Sequence, residues 1–118
     1  MGFDCNAGGI ALANSSLIDR VLEGLMAYDP EKVILFGSYA RGDYDEFSDI
    51  DLIVIKNTEQ RFVRRLVEVM AFVPRDVAAD VFVYTPQEFQ AMVESGNPFI
   101  EQALKDGIVL YEKTPGNS

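Results

Sequence analysis

The stretch Gly37-Ser38-Tyr39-Ala40-Arg41-Gly42, followed by Ser48-Asp49-Ile50-Asp51-Leu52, decides the fold of this chain and most of its chemistry. It joins a tight glycine-serine turn to two carboxylates one residue apart. Lys32 to Phe36 reads as a buried strand before the turn, and Ile50 to Ile55 as a second strand after it. The turn then closes one strand, and the carboxylates open its neighbour. Strand side chains alternate between faces, so Asp49 and Asp51 are expected to project to the same side. Two like charges held that close repel and raise a pKa unless a cation lies between them, and an all-oxygen hard site suits Mg2+. Such a turn beside such a pair suits a nucleotide and its metal.

Working outward, Leu17, Ile18, Val21, Leu22 and Leu25 recur at helical spacing, with Asn14, Ser15 or Ser16 as an available cap and Asp29-Pro30 as the stop. Ser38 to Arg41 is expected to make a short helical turn ended by Gly42, and Asp43 to Phe47 a polar connection. A helix is expected from about Glu59 to Phe72, with Phe62, Val63, Leu66, Val67, Val69, Met70 and Phe72 as its apolar set and Pro74 beyond its end. Val77 to Tyr84 predicts a third strand in which Asp80 shares a face with Phe82 and Tyr84. Thr85-Pro86 and Asn97-Pro98 each start a further helix, and Gly107 precedes a short strand, Ile108 to Tyr111. Helices alternating with strands give an α/β fold, a sheet covered by helices. Residues 14–112 form the domain, with 1–13 expected as a flexible leader and 113–118 as a flexible tail.

At 118 residues the chain can hold one core but not a catalytic domain plus a separate recognition domain, so another molecule must bring the second substrate. No apolar run approaches the roughly 18 residues of a membrane span. The formal charge of -9, without a basic cluster, makes long nucleic acid a poor substrate. Ala11-Leu12-Ala13 looks like a signal-peptidase site, but Asp4 stands where a positive segment should be and the first basic residue is Arg20, which points to a cytoplasmic protein. A single Cys5 and no histidine exclude an internal disulfide, most zinc sites and histidine-activated nucleophiles. Carboxylates and metal remain.

Gly37-Ser38, ten intervening residues and Asp49-Ile50-Asp51 resemble the signature of the DNA polymerase beta-like nucleotidyltransferase superfamily. The flanks Ala40-Arg41-Gly42 and Ser48-Asp49-Ile50-Asp51-Leu52 resemble most its smallest branch, the minimal nucleotidyltransferase (MNT) domains. The resemblance covers about residues 15–112. It implies the polymerase beta-like palm, a small mixed β-sheet with helices packed on it. It also implies a third carboxylate from a later strand, for which Asp80 fits. By this resemblance Asp49, Asp51 and Asp80 are the catalytic residues and hold two Mg2+ ions, Gly37 and Ser38 hold the β- and γ-phosphates of ATP, and Arg41 adds a contact to the triphosphate unless its turn points it outward. Members of that branch are often antitoxins that add AMP to a tyrosine of a HEPN-type ribonuclease toxin. The alternatives are nucleotidylation of a small molecule such as an aminoglycoside, and a catalytically silent nucleotide-binding antitoxin that masks its partner.

Each residue also has a structural reading. Gly37-Ser38 alone is more often just a turn, and an isolated Asp-x-Asp a solvated edge. Asp51 resists that reading, because it interrupts an Ile-Leu-Ile-Val-Ile context where an unpaired carboxylate is costly. Asp80 stands likewise beside Val81, Phe82 and Val83, and a buried salt bridge to Arg64, Arg65 or Arg75 is its structural alternative. Asp43, Asp45 and Glu46 read as a solvated loop; Phe62, Phe72 and Phe82 read as core; Tyr39 fits either role.

Overall fold

In the computed structural model, which describes residues 15–45 and 48–113, the expected leader and residues 114–118 of the expected tail lie outside the described residues. The elements are α1 (Ser15–Met26), β1 (Lys32–Phe36), α2 (Ser38–Arg41), β2 (Ile50–Ile55), α3 (Phe62–Met70), β3 (Ala79–Tyr84), α4 (Pro86–Glu94), α5 (Pro98–Asp106) and β4 (Ile108–Glu112). The sheet order is β3-β2-β1-β4, with β1 antiparallel to both β2 and β4 and β2 parallel to β3. The sheet is therefore mixed, and α3 is the crossover that a parallel pair requires.

Alternation along the strands assigns the two faces. Val33, Leu35, Leu52, Val54, Val81 and Val83 pack with Ile18, Val21 and Leu25 of α1 and Val69 of α3 in the larger core. Ile34, Ile53 and Ile55 pack on the opposite face with Ile100 and Ala103 of α5, flanked by Phe89 and Met92 of α4. The central strands are apolar on both sides because both sides are covered.

Helix α3 is shorter than its apolar pattern predicts. The Gln60 amide bonds Thr58 Oγ1, and Arg61 is the cap. Val63 and Val67 stand 71% and 62% exposed, whereas Arg65 on the inward side is only 5% exposed. The apolar residues are spread too far round the helix for one buried stripe to hold them all. Phe62 departs from the expected core role: it is exposed and stacks on Tyr84 with centroids 5.7 Å apart. Phe72 and Phe82 are half-buried. Lys113 is not a frayed end, since its amide donates to the Glu31 carbonyl at 2.7 Å and its Nζ reaches Asp29 Oδ1 at 3.2 Å. Thr85 and Asn97 cap α4 and α5 as their sequences predict, Thr85 in a reciprocal box with Glu88. Among the described residues no helix is long and apolar enough to cross a membrane.

Candidate active site

Strand register sets the site. Phe36 is paired with Asp51 across β1 and β2, and Asp51 with Asp80 across β2 and β3, so the three form one row across the sheet. By alternation this row lies on the face that α4 and α5 cover. Asp51 is half-buried. Asp80 is exposed, contrary to the burial that its apolar neighbours suggest, because β3 is an edge strand and Asp80 stands near its beginning. Asp49 precedes β2 and is also exposed.

Burial raises the Asp51 carboxyl above the ordinary aspartate range, the charges of Asp80 and Asp49 raise it further, and Arg41 opposes them. Among the described residues no Lys or Arg forms an ion pair with Asp49, Asp51 or Asp80. The structural alternative for Asp80 therefore lacks its partner: Arg64 pairs with Glu68 and Arg65 with Glu88.

The turn over this row depends on a missing side chain. Gly37 has φ +77° and ψ -155°, a conformation open essentially to glycine alone, and a Cβ there would collide with Asp51 Oδ2. The Gly37 carbonyl accepts from the Ala40 and Arg41 amides, and Gly42 in the αL conformation ends α2 by donating to the Ser38 carbonyl at 2.9 Å. Tyr39 is core: it is buried and stacks on Tyr44 with centroids 4.4 Å apart. The Asp45 and Ser48 main chains and side chains bond each other and close the loop before Asp49.

A cavity of about 370 Å3 opens beside Gly37, Ser38, Arg41 and Asp51. Its far wall is α5, through Phe99, Gln102, Ala103 and Asp106. Arg41 lines this space. Its Nε donates to Asp43 Oδ2 at 3.1 Å and its NH1 lies 3.7 Å from Asp106 Oδ2. Gln102 Nε2 in turn donates to Asp106 at 2.6 Å. Asp43 is an exposed loop residue, as its sequence reads, and also pairs with Arg41. Sequence reasoning passes over Phe99, Gln102 and Asp106, for no motif links residue 41 to residue 106; the one available signal is that they share a helix face at i, i+3 and i+7.

Among the described residues no three of His, Cys, Asp and Glu stand close enough to form a ready-made metal-ligand group. The donor chemistry still fits a hard divalent cation. Burial first, and then two neighbouring carboxylates, raise the half-buried Asp51 carboxyl, which among the described residues has no ion-pair partner, so an added positive charge suits the row.

The family described as polymerase beta, nucleotidyltransferase, matches residues 19–115. A protein of Methanocaldococcus jannaschii described as "Putative protein adenylyltransferase" is 35% identical over 81 residues, covering 69% of this chain and 78% of its own length. A second protein of that organism with the same description is 68% identical over 25 residues, which are 21% of this chain and 25% of the relative. In fold, the chain is similar to the crystal structure of "a putative nucleotidyltransferase from Sulfolobus solfataricus", with a TM-score of 0.54 and 24% identity, covering 92% of this chain and 93% of that one.

Proposed function

The chain belongs to the polymerase beta nucleotidyltransferase family, and on that premise we propose that it is a metal-dependent enzyme transferring AMP from ATP to a protein hydroxyl. The observation that carries this reading is the row Phe36, Asp51, Asp80, with Asp51 pressed against the side-chain-free Gly37 of the turn.

In the proposed reaction the acceptor oxygen bonds the α-phosphorus, the α-β phosphoanhydride breaks, pyrophosphate leaves and the hydroxyl proton passes to a base. Ser38 and the backbone at Gly37 line the cavity where the β- and γ-phosphates would lie, and Arg41, held by Asp43 and Asp106, lines the same space. Asp49, Asp51 and Asp80 would hold Mg2+, in one or two sites, which when bound neutralises charge on the phosphates and the leaving group. Asp80, exposed on the edge strand, stands where an acceptor hydroxyl arrives from solvent and serves as its proton acceptor.

Two observations support a protein acceptor. The relatives are described as protein adenylyltransferases, and a charge of -9 disfavours long nucleic acid. With the MNT resemblance, this makes the expected partner a HEPN-type ribonuclease toxin modified on tyrosine, in a cytoplasmic setting where ATP is available.

Intact-mass spectrometry of the neighbouring gene product, a HEPN-type protein on this reading, after incubation with the chain, ATP and Mg2+ tests the proposal. A gain of one or more AMP groups is expected. No gain on that protein, alongside efficient transfer to an aminoglycoside, would replace the protein acceptor by a small molecule, and tight association without transfer would replace catalysis by masking.

A further inference from the structure

The α5 wall of the cavity has two chemically different ends. Phe99 and Asp106 are seven positions apart, so they are separated by roughly 10 Å along the helix. At the C-terminal end Asp106 stands against the Arg41 guanidinium, 3.7 Å away. At the other end the Phe99 ring meets Phe36 with centroids 5.4 Å apart at 88°, and Phe82 at 5.5 Å and 71°. Phe36 and Phe82 are themselves 6.3 Å apart, and Phe36 is the register partner of Asp51.

Two near-perpendicular contacts fix the Phe99 ring, yet it remains 38% exposed and lines the cavity. A lone exposed phenylalanine needs no explanation. One immobilised by two other rings, in a cavity whose opposite end carries the Gly37-Ser38 turn and a guanidinium held between Asp43 and Asp106, matches a ligand with a flat π-face at one end and, on the nucleotide reading, phosphates at the other. Such a ligand is a nucleotide lying along α5.

We propose that Phe99 is the platform on which the base of the donor nucleotide stacks, with α5 aligning the molecule from its phosphates beside Arg41 to its base beside Phe99. This rests on the nucleotide-donor reading above and adds the residue that holds the nucleoside. Stacking on an aromatic face tolerates every base, so Phe99 supplies affinity and alignment without selecting adenine.

The test is equilibrium titration of the full chain, with Mg2+ present, using ATP and inorganic tripolyphosphate as separate probes, on wild type, Phe99→Ala and Phe99→Trp. Phe99→Ala is expected to weaken ATP roughly 5- to 100-fold and leave tripolyphosphate unchanged, while Phe99→Trp restores ATP binding. Equal weakening of both probes would make Phe99 a structural part of the wall, and no change in either would place the base elsewhere; each overturns the proposal. If Phe99→Ala does not fold, Phe99→Leu against Phe99→Trp gives the same ratio of ATP to tripolyphosphate affinity. A wild-type chain that binds neither probe would remove the nucleotide reading itself, an outcome distinct from failure of the Phe99 assignment.

Discussion

Arg65 on α3 and Asp51 on β2 both carry charge towards the interior, and their surroundings differ in every respect. Arg65 Nε donates to the Gln60 carbonyl at 2.7 Å, NH1 reaches the Val83 carbonyl at 3.3 Å, and NH1 and NH2 form a fork on Glu88 at 2.6 and 3.0 Å. Glu88 also caps α4 through the Thr85 amide. Asp51 has no ion pair among the described residues, two carboxylates near it and a glycine backbone against it. A matched buried charge is architecture. An unmatched one breaks the local rule, as functional sites do, and the proposed cation would supply the missing charge.

Substituting the two residues is the strongest way to break this contrast. Asp51→Asn is expected to lower nucleotidyl transfer by at least about 100-fold while leaving the metal-free protein as stable as wild type or more so, since it relieves burial and repulsion. Transfer of labelled nucleotide measured beside a melting curve checks both halves. A clear fall in melting temperature would move Asp51 into the class of Arg65. The converse holds for Arg65→Ala, which strands Glu88 and two backbone carbonyls and is expected to cost about 2–4 kcal/mol. Chemical denaturation measures that loss, and activity per folded molecule should survive it.

Asp80→Asn sharpens the contrast, because Asp80 belongs to the row but not to the interior. Stability within about 0.5 kcal/mol of wild type and a large fall in transfer are expected; loss of stability with activity retained would mark a structural carboxylate. The smallest effect is in pH. Glu88 titrates below its ordinary range, chiefly because Arg65 bonds its charged form, so its stabilisation is present above that range and is lost as pH falls through the lowered value. Asp51 has the opposite sign. Its raised pKa means that the folded state holds the proton more tightly, so stability falls as pH climbs from the ordinary aspartate range to the raised value and is flat above it. Melting temperatures across acid pH should lose their acid limb in Glu88→Gln and the opposing slope in Asp51→Asn.

What the sequence makes legible follows from the range of the interactions involved. β1 and the turn through Gly42 depend on neighbouring residues, and their boundaries are found where the pattern puts them. The Arg65 pairing depends on Glu88, 23 positions away, and an arginine inside an apolar helical pattern gives no hint of its partner. Thr85-x-x-Glu88 is a visible capping box, yet the second role of Glu88 is not visible. Asp80 reads as buried because its neighbours are apolar, and only the strand order shows that it sits on an edge. The α5 wall is invisible for the same reason as the Arg65 pair: Asp106, bonded by Gln102, meets Arg41 only once distant segments have packed together.

The contact between Gly37 and Asp51 links what each position can become. A side chain at 37 meets two objections, backbone conformation and the carboxylate oxygen, and shortening Asp51 to Gly or Ala removes the second. Substitutions at the two positions should therefore be non-additive, with Gly37→Ala less disruptive in an Asp51→Gly background than alone, while the backbone objection at φ +77° and ψ -155° persists in both. Loss of the aspartate lifts only one of the two objections, so the backbone of the turn holds position 37 to glycine even where the carboxylate has gone.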